Sequence, residues 1–351
     1  MKENRSYQPA LDVMNIVACI AVIAMHMNGA VWSFSYERYW LTSLIIECVC
    51  FWAVPVFFMI SGATLLDYRT RYTTREYFQK RLGRTGVPFL FWSVVSIFWA
   101  VFVTHGLEPD VLKSAPLFLD AVLNTRGLSI YWFFPPLFAL YLAIPFLSLI
   151  PQENRETACR YGIAVSFATT ACLPLLCSLA GIAYNSALSM PVNGGGMVIF
   201  LLIGYYVTHY PISKQIRCRV IYPMGAFGLL LRYFGTLIRS YLLGGVDGMF
   251  SGCDRFPCIV LAVAVFVWFW YHDWTFFTEN KRAQKLLRTV SGASFGVYLT
   301  HFYIMRFLLD TFGFNMRSWE WRILGTAAVY LLAITATLLL KKIPGLRRLV
   351  P

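Results

Sequence analysis

LDVMNIVACIAVIAMHMNGAVW, residues 11–32, is apolar enough to cross a bilayer as one helix, yet it holds Asp12, Asn15, His26 and Asn28. A spanning helix needs about 20 mostly apolar residues. Polar or ionisable groups in hydrocarbon are costly, and they face a partner or a wet cavity. Asn15 and His26 are eleven residues apart. That is about 16 Å along a helix axis, so Asn15 lies near one membrane face and His26 past the middle. The stretch predicts a bundle of spanning helices with His26 at its chemical centre.

The rest of the chain agrees. Of 351 residues, 58% are hydrophobic and only 13% are charged, with mean hydropathy +0.60. A soluble protein of this size would carry about 25% charged residues. Long apolar runs without strict alternation choose helices over a closed barrel. The expectation is an all-α integral membrane protein, a single domain over 1–351. Ten transmembrane helices can be drawn, at 11–33, 42–66, 86–104, 130–150, 160–180, 193–208, 219–243, 256–272, 291–310 and 321–340.

Charge sorts the loops. Segments 67–85, 209–219 and 272–290 and the tail after 340 are rich in Lys and Arg, and the intervening loops are poor in them. All four basic segments fall on one side with the N-terminus, so both termini are predicted to be cytoplasmic. The net charge of +13 then reads as topology, with attraction for anionic lipid or a phosphorylated cofactor as the other reading. It does not call for nucleic acid. Lys2 and Arg5 before an apolar run resemble a signal peptide, but Asp12 and Asn15 interrupt the run. A retained first helix is expected. Nine cysteines show no paired metal-ligand spacing and read as small buried hydrophobes, with no metal. Cys253 and Cys258 alone lie where an external disulfide can be drawn. Segment 105–129 is the longest external connection and is apolar enough to be a lid, a re-entrant piece or a packed loop. No internal repeat is visible, which weakens an inverted-repeat transporter.

Several constellations could carry chemistry, each with a plainer reading beside it. An imidazole such as His26 titrates near neutrality and can take or return a proton; it can equally pack helices. Arg81 and Arg84 are three residues apart and on a helix share a face. Paired guanidiniums suit phosphate, and also serve topology or lipid headgroups. Arg232 lies deep in the seventh span and needs a partner, Glu47 being the better candidate and Asp12 the lesser; a structural ion pair is the plain reading. His301 falls near mid-membrane, with Arg306 and Asp310 farther out, as a packing or supporting residue. Ser61-Gly62 reads as a small-residue contact between helices, since no base lies near Ser61 in sequence.

The order of motifs is familiar: Asp12 and His26 in the first span, FFMISG at 57–62, RLGR at 81–84 running into PFLFW, YWFFPPLFALYLAIPFL at 131–147, SFGVYLTHF at 294–302, and the tail RRLVP. The chain resembles membrane acyltransferase family 3 over nearly its whole length. The resemblance implies transfer of an acyl group, often acetyl, from cytoplasmic acyl-CoA to a hydroxyl of a cell-envelope glycan or related acceptor. It implies an enzyme of the inner or plasma membrane, with acyl-CoA as co-substrate and no permanently bound cofactor. It maps His26 onto the catalytic histidine, Arg81 and Arg84 onto the contact with the coenzyme A phosphates, and Trp132 and His301 onto further family positions. Where the family carries a basic residue before its first-span histidine, this chain has Asn15, which supplies no charge. The membrane half of membrane-bound serine racemases is also similar, and would imply a small-molecule transporter or binding module.

Overall fold

A computed structural model describes residues 7–190, 192–193 and 196–351. Lys2 and Arg5 lie outside the described residues. Within them the chain is helical, with no strand. In chain order the helices are α1 (Pro9–Met27), α2 (Arg38–Thr70), α3 (Thr74–Phe102), α4 (Ala115–Leu123), α5 (Ser129–Leu147) and α6 (Gln152–Leu179). Then follow α7 (Val198–His209), α8 (Lys214–Leu243), α9 (Phe256–Tyr271), α10 (Lys281–Ser291), α11 (Ser294–Phe312) and α12 (Trp321–Lys342).

Seven of these, α1, α2, α3, α5, α6, α8 and α12, are long and apolar enough to cross a membrane. The other three expected spans differ. α7 and α9 are apolar but only 12 and 16 residues long, and α11 is interrupted by His301, Arg306 and Asp310. The expected span at 193–208 begins only at Val198. A 12-residue helix rises about 18 Å, well short of the roughly 30 Å hydrocarbon core. Residues 198 through 205 of α7 are all buried. An apolar surface all round marks a helix enclosed by others, so α7 is a central post.

Backbone chemistry shapes the helices that matter here. Pro9 opens α1 at a position where no N–H is needed, and Asp12 sits in its first turn. α2 turns at Phe51–Trp52 because Pro55 has no N–H for the Phe51 carbonyl. The Cys258 thiol takes up that freed oxygen at 3.6 Å. α3 starts on a capping box: the Thr73 hydroxyl accepts from Glu76 N, and the Glu76 carboxylate accepts from Thr73 N at 2.7 Å. Midway it widens into a π-turn, Leu82–Gly86.

The crossing of α2 on α7 explains Ser61-Gly62. A Cβ at Gly62 would lie 1.9 Å from the Leu201 carbonyl oxygen, and one at Gly204 would lie 1.9 Å from that of Met59. Only glycine at both positions allows the two backbones to meet. Segment 105–129 is a packed loop: Ala121 and Val122 of α4 share a buried cluster with Phe89 and Ile97 of α3. Cys253 and Cys258 are buried free thiols, not a disulfide.

Candidate active site

His26 on α1 meets His301 on α11. The His26 Nδ1 lies 2.7 Å from the His301 Nε2, and the rings are stacked within 10° of parallel. The His301 Nδ1 is 2.7 Å from the Tyr298 carbonyl oxygen and 3.2 Å from that of Val297. Carbonyls only accept, so these partners place the hydrogen of neutral His301 on Nδ1. Its Nε2 is then an acceptor, and His26 must donate from Nδ1. The consequence is chemical: His26 Nε2 keeps its lone pair. A backbone carbonyl, through His301, orients the base and stabilises it once it gains a proton.

His26 lines a cavity of about 770 Å³. The lining residues follow the chain directions of four helices. At one end stand Asn15, Arg84, Thr85, Ser291 and Gly292; at the other stand Trp32, Glu47, Ser129 and Trp132. Between them the wall is apolar, with Val22, Met25, Val54, Phe57, Phe133 and Leu137 around His26. On α1 the lining runs from Asn15 to His26, about 16 Å of helix, and Trp32, in the turn after α1, extends it. A long apolar cavity with polar groups toward both ends and one imidazole midway has the make-up of a binding site.

The expected site residues divide. His26, Arg84, Asn15, Glu47 and Trp132 line the cavity. His301 is fully buried behind His26. Arg84 lines the cavity and Arg81 does not. Regular α-helix ends at Arg81 and the wide turn carries Arg84 into the mouth. Such π-turns recur at functional sites. Arg81 instead lies 5.7 Å from the ring of Tyr141, itself a cavity wall. Arg232 is buried against Glu47 at 3.6 Å, with its guanidinium over the Phe51 ring at 3.4 Å. Asp12 lies off the cavity and accepts from the Tyr7 hydroxyl at 2.7 Å and the Ser291 hydroxyl at 2.6 Å. Burial and the neighbouring Asp12 carboxylate push the Tyr7 phenol above its ordinary pKa, so it stays a donor. Asn15 donates to the Ser291 carbonyl at 2.9 Å and to its hydroxyl at 3.0 Å, pinning α1 to the α10–α11 junction.

Two features escaped the sequence. Trp32 and Tyr298 line the cavity, and Tyr298 also supplies the carbonyl that orients His301. Its position three residues before His301 was the available signal. The second is a buried cluster joining α2, α6 and α7. Arg155 reaches Asp67 at 2.5 Å, His209 Nε2 lies 2.9 Å from Asp67, and Tyr205 donates to Asp67 at 3.1 Å. Asp67, Arg155 and His209 each lie near a helix end, where charge reads as topology.

Geometry thus defines a class: a helical membrane protein whose cavity holds an unspent imidazole nitrogen between a cationic mouth and an aromatic one. A family model described as an acyltransferase domain, that of acyltransferase family 3, matches residues 8–341. The chain belongs to this family and is a multi-pass membrane acyltransferase. Comparison with curated proteins and with solved structures finds no match.

Proposed function

We propose that the enzyme transfers an acyl group, acetyl in the first instance, from acyl-CoA to a hydroxyl of a cell-envelope glycan. The Arg84 mouth faces the cytoplasm and takes the phosphate-bearing donor, whose pantetheine arm runs up the apolar passage. The Trp32 and Trp132 mouth takes the acceptor, with Glu47 beside it to hydrogen-bond a hydroxyl. Aromatic faces and a carboxylate are the groups a sugar ring uses. The bundle lies in the inner or plasma membrane with ten helices crossing or entering it and both termini cytoplasmic, in keeping with the loop charges.

In this reading His26 Nε2 removes the proton of the acceptor hydroxyl as that oxygen attacks the thioester carbonyl. The tetrahedral intermediate collapses, the carbon–sulfur bond breaks, and the coenzyme A sulfur takes the proton back from His26 Nε2. The products are an ester and free coenzyme A, and the ring ends as it began. The observation carrying the proposal is that one cavity holds the bare His26 nitrogen with Arg84 at one end and the tryptophans at the other.

Purified protein in proteoliposomes, given labelled acetyl-CoA outside and a polysaccharide acceptor inside, tests it. Wild type is expected to label the glycan. Labelled glycan from His26→Ala at the wild-type rate, or no label from folded wild type with any hydroxyl acceptor tried, would discard the assignment.

A further inference from the structure

The start of α11 faces the Arg84 mouth. Gly292, Ser294 and Phe295 line the cavity there, and no side chain caps this helix. The first N–H groups of a helix lack partners within it and carry partial positive charge. Ser294 is 4% exposed, and its hydroxyl has no hydrogen-bond partner. Buried polar side chains are seldom left this way. Lys341, from the end of α12, brings its Nζ to the Gly292 carbonyl at 2.6 Å. Arg84 stands in the same mouth. Asn15 holds the junction through Ser291, and Asp12, off the cavity, is already bonded to Tyr7 and Ser291. Arg84, a helix start and an idle hydroxyl are thus gathered at one end of the cavity, with Lys341 at the Gly292 carbonyl and the chain's last residue, Pro351, in the same lining.

We infer that the first turn of α11, with Ser294, Lys341 and Arg84, is a seat for a phosphate group. Phosphate oxygens would accept from the open N–H groups, from Ser294 Oγ and from the ammonium of Lys341, which is a donor already bent over the rim. The inference rests on the acyl-CoA reading, in which the occupant is the donor's pyrophosphate. A lipid headgroup offers the same chemistry. The seat also gives Arg84 a partner cation from a different helix, since Arg81 is turned onto Tyr141.

The test uses the full-length protein in phosphatidylcholine nanodiscs, titrated calorimetrically with coenzyme A, phosphate-free pantetheine and inorganic pyrophosphate. For coenzyme A, Lys341→Gln is expected to raise Kd about tenfold and Ser294→Ala a few-fold, the loss of one charge-assisted and one neutral contact. Ser294→Thr, which keeps the hydroxyl, should restore most of the loss. Pantetheine should bind all four proteins alike, and unchanged melting confirms folding. Equal coenzyme A affinity across the folded variants would overturn the seat and leave the acyl-CoA reading standing. Absence of coenzyme A binding by wild type would sink that reading instead. Pyrophosphate binding that still weakens in Lys341→Gln, and is competed away by adding phosphatidylglycerol to the nanodiscs, would then keep the seat and make its occupant a lipid headgroup. Pyrophosphate indifferent to Lys341 would end both.

Discussion

Two histidine clusters occupy this bundle, and they differ in how the rings spend their nitrogens. His209 gives both away: Nδ1 lies 2.8 Å from the Tyr205 carbonyl oxygen and Nε2 lies 2.9 Å from the Asp67 carboxylate. His26 gives one away, to His301, and its other edge faces a cavity. The first arrangement ties three helix ends together with a guanidinium and a phenol. The second leaves a base in reach of a substrate. Burial and polar neighbours do not by themselves set a histidine apart as a candidate base. An unspent nitrogen over open space does.

The comparison can be broken by mutation. The largest effect belongs to His26→Ala, expected to lower acyl transfer by about 10²- to 10⁴-fold, the range for a lost general base, with the melting temperature kept. Next is Asp67→Ala, which strands Arg155 among buried groups. Removing one partner of such a pair costs about 3–5 kcal/mol, read as a lowered melting temperature with loss of folded protein. If Asp67→Ala melted normally and lost only turnover, the assignment of the two clusters would have to be exchanged.

Smaller changes sharpen the contrast. His301→Leu removes the acceptor for His26 Nδ1 and should cut kcat about 10- to 100-fold with KM unchanged, the scale of a lost orienting partner. His301→Gln keeps an oxygen acceptor and should recover part of it. Equal kcat for the two variants would show that His301 only fills space. Gly62→Ala should destabilise the α2–α7 crossing near the Asp67 cluster by about 1–3 kcal/mol, the range for overpacking, measured by thermal melting. The surface pair Arg239–Asp247, at 3.0 Å, supplies the smallest effect. Burial alone would raise the Asp247 carboxyl, but the Arg239 hydrogen bond, the Met249 N–H and the Arg239 charge outweigh it and hold the pKa below the usual value. Its stabilisation is present at neutral pH and disappears as acid takes the pH down through the lowered value. Arg239→Gln should therefore melt slightly below wild type at pH 7, the gap closing as the pH falls through the lowered value.

Much of the cavity lining was legible because a polar residue in an apolar run stands out. His26 and Glu47 were visible in this way, and so was the demand of Arg232 for a carboxylate, while Trp132 came from the family resemblance. The His26–His301 contact was not legible, since it joins residues 275 positions apart and depends on how α1 lies on α11. Which of Arg81 and Arg84 reaches the cavity was not legible for a local reason: the three-residue rule assumes a regular helix, and a π-turn begins at Leu82. Asp67, Arg155 and His209 were hidden because charge at a span end has a cheaper explanation than a buried network.

By itself the sequence determined the membrane helices, the sorting of charge between their ends and the family, because hydrocarbon penalises polar groups residue by residue and leaves that penalty written in composition. Tertiary structure alone decided which nitrogen of His26 is free, which arginine reaches the cavity and where Lys341 ends. Those outcomes depend on contacts between helices far apart in the chain and on hydrogen bonds whose direction is set by the partner.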